Sequence, residues 1–203
     1  MSDTLQVVHT GTANLASVFA AFRRAGVAPQ DTLDAVVIEY APRLVLPGVG
    51  AFGAAMHNLH EAGLIEPLRR RLRAGRATFA ICLGMQILCA SSEETPGIEG
   101  LGLFDLPVTR FRNTPRIPQF GWAPVEVPST TQGILCHGYA YFAHSYRLSE
   151  QPQGWRCALS EYGGPFVAAL EKDGIVACQF HPELSGEWGH ELISRWLSAT
   201  ASA

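Results

Sequence analysis

Apolar residues fall along this chain in two regimes. In the first half, short runs that are apolar at nearly every position alternate with longer stretches patterned at helical spacing. "LQVVHT" (5–10) is predicted as a buried strand. The stretch from Asn14 to about Ala25 is predicted as an amphipathic helix, with Asn14 as N-cap and Gly26 closing it. "RLVLPGVG" (43–50) is a second strand ending in a glycine-rich turn. Helical patterning runs from Phe52 onward, and Pro67 starts a further helix. "ATFAIC" (77–82) is a third strand, followed by a helix from about Leu83. Such an alternation predicts a mostly parallel sheet covered on both faces.

The later half changes character. "WAPVEV", "GILCHG", "YAYFAHSYRL", "WRCALSEY" and "FVAALEKDGIVACQF" read as strands, the last folding back at Asp173-Gly174. "SGEWGHELISRWLSA" closes the chain as a helix, with Ser185 a candidate cap. The expected fold class is therefore α/β, with an antiparallel extension in its later half. No repeat, low-complexity tract or linker interrupts the chain, so residues 1–203 are expected to form one domain.

Composition narrows the function. A net charge of −3 gives no reason to expect nucleic acid or an anionic membrane as partner. The densest basic run, "RRRLRAGR" (69–76), reads as a solvated helical face rather than a phosphate site. The N-terminus lacks the pattern of a secretory signal, and no apolar run approaches membrane-spanning length. The five cysteines are odd in number and contain no C-x-x-C pair, which argues against a disulfide framework and a zinc site. A reduced, cytoplasmic protein is expected, with no metal and no other cofactor.

Cys82 falls where a buried strand meets a helix. A residue on such a turn is pushed out at the carboxyl edge of the sheet, where a helix N-terminus favours a thiolate. Taken alone, the residue reads first as packing, since buried cysteines are mostly inert. A thiol nucleophile needs a base and the base an orienter. Of the seven histidines, His181 stands apart: "VACQFHPEL" places it directly after an apolar strand with Glu183 two residues on. Gly48 and Gly50 in "LPGVGAF" allow a turn whose amides can face an oxyanion, or else make an ordinary tight strand–helix turn.

Together, "PGVGAFGAAM", "CLGMQIL", "GWAPVE", "YFAHSY" and "QFHPELSGEWG" resemble, in order and spacing, the class I (triad-type) glutamine amidotransferases. More narrowly they resemble the glutaminase subunits of imidazole glycerol phosphate synthases. The resemblance implies that family's three-layer fold. It also implies a Cys82–His181–Glu183 triad that hydrolyses glutamine, with the amides of Val49 and Leu83 forming an oxyanion hole. Gly48, Gly50, Gln86, Ser145 and Tyr146 match positions that bind substrate. Asn14, Trp122, Tyr141 and Leu184 match positions that face a (β/α)₈-barrel synthase subunit, which uses the ammonia in histidine biosynthesis.

Several places depart from the family pattern. His9 and Thr10 replace a common Asp-Tyr, Ala16 an arginine, Gln119 a histidine, Leu184 a lysine and Ala80 a glycine. Ala16, Gln119 and Leu184 are expected to mark a changed partner surface. A paralogue feeding ammonia to another synthase, and a stand-alone cysteine amide or γ-glutamyl hydrolase, stand as alternatives.

Overall fold

A computed structural model describes residues 4–9, 15–114, 116–128 and 133–201. The central sheet has seven strands in the order β10-β11-β12-β4-β3-β1-β2. These are β1 (Thr4–Val8), β2 (Ala28–Thr32), β3 (Arg43–Gly48), β4 (Thr78–Cys82), β10 (Arg156–Glu161), β11 (Pro165–Lys172) and β12 (Ile175–Cys178). Strands β2, β1, β3, β4 and β12 run parallel, while β10 and β11 are antiparallel additions beside β12. This is the expected α/β plan. Every residue of β3 and β4 is buried, because helices cover both faces. Val45, Phe79 and Ile81 pack on one side with residues of α1 (Leu15–Arg24) and α6 (Gly186–Ala199). Leu44, Leu46 and Ala80 pack on the other with α3 (Phe52–Glu61) and α4 (Ile65–Arg73). The period-2 alternation within each strand thus divides the core into two layers.

Two smaller sheets flank this frame. β7 (Gln119–Val125) pairs antiparallel with β8 (Gly138–His144), and β5 (Cys89–Ser92), β6 (Phe104–Arg110) and β9 (Tyr146–Leu148) form a three-stranded sheet. "YAYFAHSYRL" is therefore two strands belonging to two sheets, broken at Ser145. "GILCHG" is not a strand before Gly138. The amides of Ile134 and Leu135 go to the Glu171 carboxylate, and the Leu135 carbonyl accepts from Arg156, which leaves no free ladder.

Other expectations are corrected. β2 and α2 (Ala35–Tyr40) were not predicted, because "APQDT" is a polar, proline-bearing edge strand without apolar alternation. α4 begins at Ile65, two residues before Pro67. The helix after Cys82 is the single turn α5 (Leu83–Gln86). It stops there because the carbonyls of Ile87, Leu88 and Cys89 accept the amides of Leu101, Leu103 and Gly102 instead of continuing the helix. Ser185 precedes α6 and its carbonyl accepts from the Gly189 amide, but its side chain makes no cap hydrogen bond. Asn14, expected as the cap of α1, lies outside the described residues. Within the basic run, Arg71 is fully buried and donates to the carbonyls of Ile38 and Ala41 and to Thr78 Oγ1.

Candidate active site

Strand order brings the chemistry together. β12, β4 and β3 are neighbours, so their carboxyl ends deliver His181, Cys82 and the Val49–Gly50 turn to one edge of the sheet. Cys82 ends β4 with φ 52° and ψ −107°, a left-handed conformation that a non-glycine residue adopts only when its surroundings enforce it. The enforcement is close packing of backbone. A Cβ on Gly84 would meet the Leu46 carbonyl oxygen at 1.9 Å, and one on Gly48 would meet Leu83 Cβ at 2.9 Å. These two glycines let the β3 turn press against the elbow, with Gly48 in register with Cys82.

His181 is fixed at three points. Its amide donates to the Tyr141 carbonyl at 2.9 Å. Its carbonyl accepts from Ser185 Oγ at 2.6 Å, and Ser185 Oγ in turn accepts from the Tyr141 amide. Its Nδ1 lies 2.8 Å from Glu183 Oε1, in a pair whose side chains are 9% and 6% exposed. A carboxylate only accepts, so Nδ1 carries the proton and Nε2 is left for Cys82. Burial alone would hold the imidazole neutral. Its hydrogen bonds to Cys82 and Glu183, and their charges, outweigh that and push it up to about 10.

A cavity of about 340 Å³ opens beside this pair, and Val49, Gly50, Cys82, Leu83, Gln86, Ser145, Tyr146 and His181 line it. A slightly larger cavity, about 360 Å³, lies between α3 and α4, but it holds no cysteine and its histidines, His57 and His60, are exposed. The other buried thiols are held in their protonated form. Desolvation pushes Cys89 up to about 12, Cys157 up to about 11 and Cys178 well above the ordinary thiol range. Among the described residues, no group of three His, Cys, Asp or Glu side chains is placed to hold a metal.

Residues 8–199 match the model of the class-I glutamine amidotransferases. The chain belongs to that family. It is 39% identical over 197 residues to imidazole glycerol phosphate synthase subunit HisH of Methanothermobacter thermautotrophicus, covering 95% of this chain and 97% of the relative. The HisH subunit of Deinococcus radiodurans is 37% identical, with 95% and 92% covered. Among solved structures, a glutamine amidotransferase superposes with a TM-score of 0.77 at 21% identity, covering 97% and 98% of the two chains. The PurLQS structure of Thermotoga maritima gives 0.71 at 17% identity, with 98% and 99% covered. These two show the fold.

Around Cys82 stand residues that sequence reasoning missed. Gln179 Nε2 lies 3.7 Å from Cys82 Sγ, and its Oε1 accepts from Gln86 Nε2 at 3.0 Å. Gln86 Nε2 also donates to the Tyr146 carbonyl, so its amide nitrogen is committed within the protein. Glu94 and His144 line the cavity beside Cys82. His144 Nδ1 donates to the Tyr146 carbonyl at 2.8 Å, and burial holds the ring neutral by pushing it down to about 4. Gln179 and His144 stand inside the segments "QFHPELSGEWG" and "YFAHSY", which was the signal for them, whereas Glu94 offers only an acidic residue shortly after an apolar segment.

The expected partner residues divide. Trp122 is 57% exposed and Leu184 46%, with Tyr141 packed edge-on against Trp122 at 6.2 Å. Phe120 and Tyr139, which no expectation singled out, extend the same aromatic face. Gln119 does not belong to it. Alternation along β7 turns residues 119, 123 and 125 inward and leaves 120 and 122 outward, so Gln119 is 3% exposed. Ala16 is exposed on α1, and Asn14 lies outside the described residues.

Proposed function

We propose that this chain is the glutaminase subunit of an imidazole glycerol phosphate synthase and acts as one amidotransferase domain along its length. The Cys82 thiol gives its proton to His181 Nε2, a transfer favoured by the raised pKa of the ring, and the thiolate Sγ attacks the side-chain carboxamide carbon of glutamine. The amides of Val49 and Leu83 hold the oxyanion of the tetrahedral intermediate. Collapse breaks the C–N bond, His181 returns the proton to the leaving nitrogen, and ammonia departs from a thioester. Water, deprotonated by His181, then hydrolyses the thioester and releases glutamate, with the proton returned to Cys82. Glu183 holds the imidazolium in one orientation throughout. The single observation that carries this reading is Cys82 on a strained elbow beside a buried, carboxylate-oriented histidine.

The α-ammonium of glutamine is matched by Glu94, and its α-carboxylate by the Ser145–Tyr146 segment. A second cavity, about 120 Å³, shares Val49 and His181 with the first and reaches Leu184. We infer that ammonia leaves through it toward a (β/α)₈-barrel synthase subunit docked on Trp122, Tyr141 and Leu184. The relatives named above are synthase subunits of the same kind, which favours this acceptor over another and over a stand-alone hydrolase. The test is glutamine-dependent ammonia release with and without the barrel subunit from the same genome. Stimulation by that subunit is expected, and equal rates would favour an independent hydrolase.

A further inference from the structure

Helix α3 begins two residues after the Val49–Gly50 turn, and its first amides have no local cap. Ala51 occupies the N-cap position and makes no side-chain hydrogen bond there. The acceptors come from 42 residues further along the chain. Glu94 Oε2 accepts from the Phe52 amide at 2.7 Å, and Thr95 Oγ1 accepts from the Gly53 amide at 3.2 Å. The approach is close enough that a Cβ on Gly53 would lie 2.6 Å from Thr95 Cγ2. Upstream, the turn is anchored by the β3–β4 ladder, where Gly48 pairs with Cys82. The oxyanion turn is thus a three-residue bridge between a fixed strand and a helix start held from a distant segment.

Glu94 belongs to both places. It caps α3 and also lines the cavity that holds Cys82, whereas Thr95 is not among the cavity's lining residues. We propose that the Glu94–Thr95 pair is a positioning device for the oxyanion turn, and that Glu94 makes the turn's setting depend on occupancy of the substrate site. The proposal rests on the glutaminase reading. One carboxylate oxygen holds the first helical amide while the other meets the ammonium group of bound glutamine. A carboxylate engaged on both sides has one orientation left, so substrate tightens the cap and with it the path of residues 49–51. A negative charge at this end of the helix is also favoured by the helix dipole.

The two residues separate in kinetics of glutamine hydrolysis by the full chain, with active enzyme counted by titrating Cys82 with a glutamine-analogue electrophile. Thr95→Val removes one cap without touching the cavity. It is expected to lower kcat about three- to thirtyfold, the range of a lost cap, with KM within about twofold. Thr95→Ser should restore kcat. Glu94→Gln keeps an oxygen for the Phe52 amide but loses the charge that couples the cap to the ammonium group, so for glutamine KM should rise and kcat should fall. With 5-amino-5-oxopentanoate, which lacks the α-amino group, Glu94→Gln should match wild type and Glu94→Ala should still lose kcat. Wild-type kcat in Thr95→Val, or a loss that Thr95→Ser does not repair, overturns the proposal. If wild type hydrolyses glutamine and Cys82→Ser does not, that failure leaves the glutaminase reading standing. A wild-type chain that hydrolyses no glutamine overturns both.

Discussion

Replacing Glu183 by glutamine isolates what the third residue of the site contributes. The pair it breaks is a 2.8 Å contact between side chains less than a tenth exposed. At an effective dielectric of about 20, opposite unit charges about 4 Å apart attract by about 4 kcal/mol. Losing that stabilisation of the imidazolium slows turnover by up to about three orders of magnitude. A tautomer effect adds to it. A carboxamide nitrogen at this position donates to Nδ1 and moves the ring proton to Nε2, the nitrogen that must accept from Cys82. The same change in a serine-protease triad costs about four orders of magnitude. We expect Glu183→Gln to lower kcat for glutamine by about two to four orders with KM nearly unchanged, since Glu183 does not line the substrate cavity. The assay is initial-rate ammonia release across glutamine concentrations, with His181→Ala as a parallel variant expected to lose at least as much. A Glu183→Gln enzyme within about threefold of wild-type kcat would refute the assignment of Glu183 as orienter.

A glutamine-analogue electrophile should label Cys82 and leave Cys89, Cys157 and Cys178 unmodified, because burial holds their thiols protonated; peptide mapping after labelling checks this. Acid should destabilise the fold through His144. Its pKa of about 4 in the folded chain lies below the 6.5 of an exposed imidazole, so the unfolded chain binds the extra proton. The stability associated with the neutral ring is whole above pH 6.5 and is lost as pH falls toward 4, by about 3 kcal/mol. His144→Phe, in a ring cluster with Phe111, Phe142 and Phe166, should flatten that limb in urea titrations between pH 4 and 7. Arg71→Met should strand the buried carbonyls of Ile38 and Ala41 and lower Tm by roughly 10 °C, about 3 kcal/mol, by calorimetry.

Strands β3, β4 and β12 were legible because strands buried on both faces are written as uninterrupted apolar runs. Cys82 was legible as a position, since a strand-to-helix junction is a local pattern, and His181-Pro182-Glu183 because its partners are two residues apart. What escaped depends on distant segments. Edge strand β2 has one neighbour and carries polar residues that imitate a loop. The length of α5 is set by residues 101–103, whose amides take the carbonyls of Ile87, Leu88 and Cys89 just beyond it. Ser185 matches a cap by position, but its hydroxyl is used to tie His181 to β8. Gln179 and Glu94 become site residues only when the sheet places them beside Cys82 and α3. Arg71 sits in a run of arginines, and only the approach of α2 to α4 marks it as buried.

The amide nitrogen that Cys82 releases from glutamine is expected to be consumed by a synthase subunit. The most direct measurement supplies glutamine carrying ¹⁵N at its amide to the complex of this chain with its genome's barrel subunit. The formimino-carboxamide ribonucleotide and a large excess of unlabelled ammonium are present, and the isotope content of the imidazole product is read. Wild type is expected to give ¹⁵N in the imidazole ring, and Cys82→Ser only unlabelled nitrogen. Product bearing the isotope ratio of the bulk ammonium in both cases would contradict this expectation.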